Sequence, residues 1–227
     1  ATTAMLDYPY PQSFVAPLPA NPVKVACGRV GGGGDDDALL RGLAAAADVL
    51  LNSTGSLRCH NVSRELMGGG RAPGGRRGVG GLGDGWARAW NWQACTELVL
   101  EPATSDGLGF WVERDDEVAA LQAACRAQFG DDLVSRPAWL PASLGDGVAL
   151  VRALTNVVFS DGDKDPWRIG GVPANASAYG DGSVRHVLIR GAAHHQDLRF
   201  DDPRDPPSVG EAKAAERRAI EGWLGSR

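Results

Sequence analysis

The sequence predicts an α/β chain that closes on an open parallel sheet. Leu154 to Phe159 (L-T-N-V-V-F) is a short β-branched apolar run, and Val184 to Arg190 (V-R-H-V-L-I-R) is a second. Runs of this length and composition read as buried strands. Ser208 to Leu224 then carries a helical pattern, so the chain ends strand, loop, strand, loop, helix, the rhythm of a parallel sheet covered by helices. Composition agrees: 227 residues with 43% hydrophobic and 22% charged side chains are enough for a core of ordinary make-up. A net charge of −5 argues against a nucleic-acid or membrane-surface footprint. No apolar stretch approaches the ~18 residues of a membrane span.

Before that sheet the pattern is helical and broken by turns. Residues 1–26 hold five prolines, Pro9, Pro11, Pro17, Pro19 and Pro22, with Tyr8, Tyr10 and Phe14 between them, which suits an ordered, turn-rich segment with aromatic anchors. Asp37 to Leu51 is rich in Ala, Leu and Val behind a cluster of Asp, as a capped helix should be. Residues 68–85 carry ten glycines in a Gly-Arg tract and read as a loop. Asp116 to Phe129 predicts a helix with Val118, Leu121, Cys125 and Phe129 on one face and Gly130 at its stop. In the last helix Ser208 and Glu211 have the spacing of a capping box, and Val209, Ala212, Ile220, Trp223 and Leu224 form the apolar face. The opening Ala-Thr-Thr-Ala-Met-Leu-Asp has neither an initiator Met nor a signal pattern and reads as the middle of a longer chain.

Four cysteines occur, Cys27, Cys59, Cys95 and Cys125, none with C-x-x-C spacing. Three glycosylation acceptors are present at Asn52, Asn61 and Asn175. An even cysteine count with such acceptors favours the oxidising secretory pathway over the cytosol.

Functional groups of open α/β sheets gather at the carboxyl ends of the strands. After the first predicted strand comes Ser160-Asp161-Gly162-Asp163-Lys164-Asp165-Pro166-Trp167; after the second comes Gly191-Ala192-Ala193-His194-His195-Gln196-Asp197. An acid and then a His near the C-terminus is the closing order of α/β-hydrolases. Imidazole takes the nucleophile's proton, while the carboxylate sets its tautomer and stabilises the imidazolium. Other readings stand beside this one. Asp161, Asp163 and Asp165 open like a calcium loop, although Pro166 and Val172 occupy positions where such a loop needs Gly and Glu. His194 and His195 also read as surface histidines or as half of a metal-binding module.

Ordered motifs extend the pattern: Leu6-Asp7-Tyr8-Pro9-Tyr10-Pro11; Pro17-Leu18-Pro19-Ala20-Asn21-Pro22-Val23-Lys24-Val25; Gln93-Ala94-Cys95-Thr96-Glu97; Phe159-Ser160-Asp161-Gly162 with Asp165-Pro166-Trp167; and Gly191-Ala192-Ala193-His194-His195-Gln196-Asp197-Leu198-Arg199. Together they resemble the C-terminal half of the lysosomal Pro-X carboxypeptidase and dipeptidyl peptidase II family of serine peptidases. Pro9-Tyr10-Pro11 and Asn21-Pro22-Val23 look slightly closer to dipeptidyl peptidase II. The resemblance implies an α/β-hydrolase with an inserted helical cap: residues 1–145 the later part of the cap, residues 146–227 the C-terminal part of the hydrolase domain. It implies a serine exopeptidase acting next to proline, with Asp165 and His194 as catalytic residues and Trp167 in the pocket for proline. A flat apolar ring suits that ring-on-ring packing. It further implies a Cys95–Cys125 disulfide, with Cys27 and Cys59 unpaired here because their mates lie upstream. No cofactor or metal is implied. The partners implied are a peptide substrate and the upstream half of the same chain, with a homodimer admitted, in a lysosomal, vacuolar or secreted setting. No G-x-S-x-G elbow occurs, so the nucleophilic Ser is expected upstream of Ala1. A non-catalytic glycoprotein relative that keeps only the binding shell is the remaining alternative.

Overall fold

Asn156 sits in the left-handed region (φ 58°), a conformation Asn tolerates better than other side chains, and turns the chain into the first strand. Its N–H donates to Ser183 Oγ at 2.8 Å, so the entry to this strand is tied to the entry to the next. Strand β1 spans Val157–Gly162 and β2 spans Val184–Ile189. They pair in parallel from Val157 opposite Val184 to Gly162 opposite Ile189. The first strand therefore begins three residues later than the apolar run predicts and continues through Ser160 and Asp161. Leu154 packs instead with Val151, Val184, Phe159 and Val172 in a small core at the start of the strands.

The computed structural model describes residues 2–32, 34–60, 83–98, 117–145, 147–172, 175–178 and 182–225. The chain falls into two compact units. One joins Ala1–Leu57 to Leu144–Arg227; the other is Arg58–Ser143. The first 57 residues thus group with the strands rather than with the stretch that follows them. The reason is apolar. Leu6, Tyr8, Tyr10, Ala16, Leu18 and Val49 form one buried cluster with Ala193 of the histidine loop.

In the first unit, α1 (Thr2–Met5) leads to α2 (Pro22–Val30), which begins with Pro22 after a left-handed Asn21. Helix α3 (Asp36–Leu51) starts one residue before the predicted Asp37 because Asp35 is its cap and accepts from Ala38 N–H at 2.8 Å. After α7 (Gly147–Ala153) and the two strands, α8 (Pro207–Gly225) packs Val209 and Ala212 on Ile189 and Ala192. The expected capping box is absent. The helix begins at Pro207, so Ser208 is already inside it, and its hydroxyl donates to Arg190 O at 2.6 Å. The predicted apolar face holds only near its start: Val209 and Ala212 are buried, with Ala219 further on, whereas Ile220 and Leu224 are exposed.

The second unit contains α4 (Gly83–Gln93), a π-helical turn over Ala94–Leu98, α5 (Glu117–Phe129) and the start of α6 (Trp139–Leu144). Cys95 and Cys125 form a disulfide across 5.7 Å between Cα atoms. Ser135 Oγ donates to Cys95 O at 3.0 Å and Arg136 N–H to Thr96 O at 2.7 Å, so the chain after α5 is bound to the same turn. The Gly-Arg tract lies outside the described residues over 61–82, and so does the sequon at Asn61.

Candidate active site

Asp165 follows β1 and caps the 3-10 turn Pro166–Gly170. One carboxylate oxygen accepts from Trp167 N–H at 3.0 Å; the other lies 2.5 Å from His194 Nδ1. The residue is only 7% exposed, so both oxygens spend their hydrogen-bonding capacity inside the protein. Proline at the first position of the turn needs no donor there and presets the backbone for it.

His194 lies in the loop after β2, and its backbone is anchored at both ends of the residue. Its N–H donates to Met5 O at 3.0 Å, and its carbonyl accepts from the Tyr8 hydroxyl. Tyr8 is fully buried, and burial pushes its phenol above the ordinary value, so it remains a donor. The two loops are also joined directly. Asp163 Oδ1 accepts from Gly191 N–H at 2.7 Å, Asp163 N–H donates to Ile189 O at 3.1 Å, and Lys164 N–H donates to Ala192 O at 3.1 Å. Gly162 permits this approach: a Cβ there would stand 2.5 Å from Ala192 O and 2.7 Å from Ala193 O. Lys164 Nζ reaches the Asp7 carboxylate at 3.1 Å, which brings the opening segment into the same seam.

With Nδ1 facing a carboxylate, the imidazole carries its proton there and presents Nε2 as the basic atom. His195 takes a left-handed conformation (φ 53°) and lays its ring 3.4 Å from that of His194. Burial, followed by the His194 charge, lowers the pKa of His195, so the second histidine favours its neutral form. Behind the loop, Asp197 is buried and accepts from Ser160 Oγ at 2.6 Å. Burial and the Asp197 carboxylate push Glu216 of α8 up to about 7.

Other expected site residues are placed as follows. Trp167 is 42% exposed and next but one to Asp165, so its ring is not a core aromatic. Asp161, Asp163 and Asp165, which sequence alone could offer to a cation, are each engaged in the protein; Asp161 pairs with His186 Nε2 at 2.9 Å. Among the described residues no group of three or more His, Cys, Asp or Glu is arranged to hold a metal. Cys27 and Cys59 are free and exposed. The Asn52 amide is folded onto its own turn, donating to Leu57 O and accepting from Leu57 N–H, and Asn175 is exposed. Sequence reasoning missed Met5 and Tyr8 as supports of His194, and Asp7 as the partner of Lys164. Tyr8 was visible only as an aromatic anchor, since nothing local ties it to a residue 186 positions away.

A family model described as serine carboxypeptidase S28 matches residues 1–216. The chain belongs to the serine carboxypeptidase S28 family. Human lysosomal Pro-X carboxypeptidase is 32% identical over 222 residues, covering 97% of this chain and 40% of the relative. Prolyl carboxy peptidase like protein 5 of Caenorhabditis elegans is 32% identical over 231 residues, covering 97% of this chain and 42% of the relative. Mouse thymus-specific serine protease is 27% identical over 192 residues, covering 81% of this chain and 34% of the relative. The chain therefore spans about two fifths of the length of the first two of these relatives. Its parallel strands and packed helices are of the α/β-hydrolase type found in S28 peptidases.

Proposed function

We propose that this chain supplies the acid and base of a serine exopeptidase that cleaves peptides beside proline, with the nucleophilic Ser carried on an upstream segment. His194 Nε2 removes the serine proton as the hydroxyl attacks the peptide carbonyl, then returns it to the leaving group. Asp165 holds the Nδ1–H tautomer and stabilises the imidazolium. Trp167 lines the pocket for the proline ring. In this reading residues 1–145 are the later part of the inserted cap, and residues 146–227 end the hydrolase sheet. The setting is lysosomal, vacuolar or secreted, with glycans at Asn52, Asn61 and Asn175; no described helix is long and apolar enough to cross a membrane.

One observation carries this reading: a buried carboxylate with one oxygen on a backbone N–H and the other 2.5 Å from an imidazole whose own backbone is pinned on both sides. In the intact protein, Asp165→Asn and His194→Ala should each cut kcat on prolyl peptides by about 1,000-fold or more, with the fold retained. Two substrates decide polarity. One has a free amine and proline as its second residue; the other has a blocked amine and proline just before its last residue. Full activity in both variants would end the proposal.

A further inference from the structure

We propose that Gln196 is a positioning residue for His194: its side chain closes the base of the turn that carries the histidine pair. The inference rests on His194 being the catalytic base, as proposed above. Gln196 is fully buried, at 0% exposure, directly after the half-buried His194 and the exposed His195. Both ends of its amide are used. Oε1 accepts from Ala193 N–H at 2.8 Å, and Nε2 donates to Asp205 Oδ1 at 2.7 Å. Gln196 N–H also donates back to Ala193 O at 3.4 Å.

Ala193 is thereby held by Gln196 at its N–H and at its carbonyl, and the two residues between them are His194 and His195. The turn is short and strained, because His195 adopts φ 53° without being glycine or asparagine. Such a conformation persists only where its surroundings over-determine it. The Met5 carbonyl and the Tyr8 hydroxyl hold the His194 backbone from outside the turn; Gln196 holds the turn from within. Asp205 anchors the clasp. Its second oxygen accepts from Asp202 N–H at 3.2 Å, which fixes the carboxylate in the segment leading to α8. A Leu at 196 would fill the space but leave the Ala193 N–H and the Asp205 oxygen without these partners. The imidazole would then lose its alignment with both Asp165 and the nucleophile.

An isosteric carboxylic acid separates positioning from packing. In Gln196→Glu the new carboxyl sits against Asp205 in a buried place, where burial and like charge both favour the protonated acid. Protonated, it donates to Asp205 as the amide does. Ionised, it repels Asp205 and opens the turn. The test measures kcat and KM of the intact protein on a prolyl peptide from about pH 4 to about pH 8. It adds the downfield proton resonance of His194 Nδ1–H, which needs no peptidase activity. We expect Gln196→Leu to lower kcat by about 10-fold or more with KM within about 2-fold, and to shift or abolish the resonance. We expect Gln196→Glu to match wild type at the acid end and lose kcat and resonance together as pH rises.

A folded Gln196→Leu with wild-type kcat, or Gln196→Glu with the wild-type pH profile, overturns the proposal. If Gln196→Leu fails to fold, Gln196→Glu alone decides. If the wild type has no peptidase activity, the reading of the active site fails. The resonance still judges Gln196, and an unchanged signal in both variants rejects it.

Discussion

The two histidine-bearing and acid-bearing loops are held without a covalent link, whereas the 58–143 unit is cross-linked. Around Asp165 and His194, backbone and side-chain hydrogen bonds run from four stretches of chain that are far apart in sequence: the opening segment, the β1 loop, the β2 loop and the lead into α8. Around Cys95, a disulfide fixes α5 to the turn after α4, and a few polar contacts add to it. The contrast teaches where each region is vulnerable. A cross-link acts mainly by limiting the unfolded chain and tolerates local change. A directional network fails one donor at a time, because each orphaned group keeps its desolvation cost.

Breaking the cross-link should have the largest effect. Cys95→Ser with Cys125→Ser opens a loop whose ends are 30 residues apart, and chain-entropy reasoning sets the cost near 3 to 4 kcal/mol. Limited proteolysis should then cut within 58–143 while the His194 Nδ1–H resonance stays in place. Loss of that resonance in the variant would show that the network around His194 depends on the cross-link.

Tyr8→Phe tests the network in the opposite sense. It removes one hydroxyl from the His194 carbonyl and leaves the aromatic packing, including the ring stacked on Tyr10 at 5.6 Å between centroids. The expected cost is about 1 to 2 kcal/mol in chemical denaturation, with a change in the His194 resonance. Unchanged stability and an unchanged resonance would mean the hydroxyl contributes nothing to holding the loop.

The smallest effect is a pH dependence. Glu216 is raised to about 7 in the folded protein by burial and by Asp197, from an ordinary 4.5. An unfolded chain therefore binds fewer protons at this group between about 4.5 and about 7, and stability falls as pH rises through that window. Below it the group costs nothing; above it the full penalty applies. Glu216→Gln should remove this slope and raise the midpoint of unfolding at neutral pH while leaving acid stability alone. Half-buried and screened, the effect should stay under about 1 kcal/mol. An identical slope in the variant would place the pH dependence elsewhere.

Much of the site was legible because it is local in sequence. An acid shortly after one β-branched run and a His shortly after the next announce themselves by order, and Asp165-Pro166-Trp167 announces a capped turn. The helix ends were less legible: the Ser208 and Glu211 spacing fits a capping box, yet the Arg190 carbonyl, just past β2, claims the Ser208 hydroxyl. The grouping of the first 57 residues with the strands was not legible at all. Proline and tyrosine show that residues 1–26 are ordered, but not against what.

Residue order by itself determined that this is an α/β chain, that an acid and a histidine follow successive strands, and that the chain shares the S28 motifs. Each of these depends on spacing along a local stretch, where side-chain period and turn chemistry act. Only the tertiary structure decided that Asp165 meets His194 at 2.5 Å, that Tyr8 and Met5 hold the histidine backbone, and that Gln196 is buried between Ala193 and Asp205. Those pairings span up to 186 residues. They exist because buried polar groups must find partners wherever packing has placed them, and no local pattern records that choice.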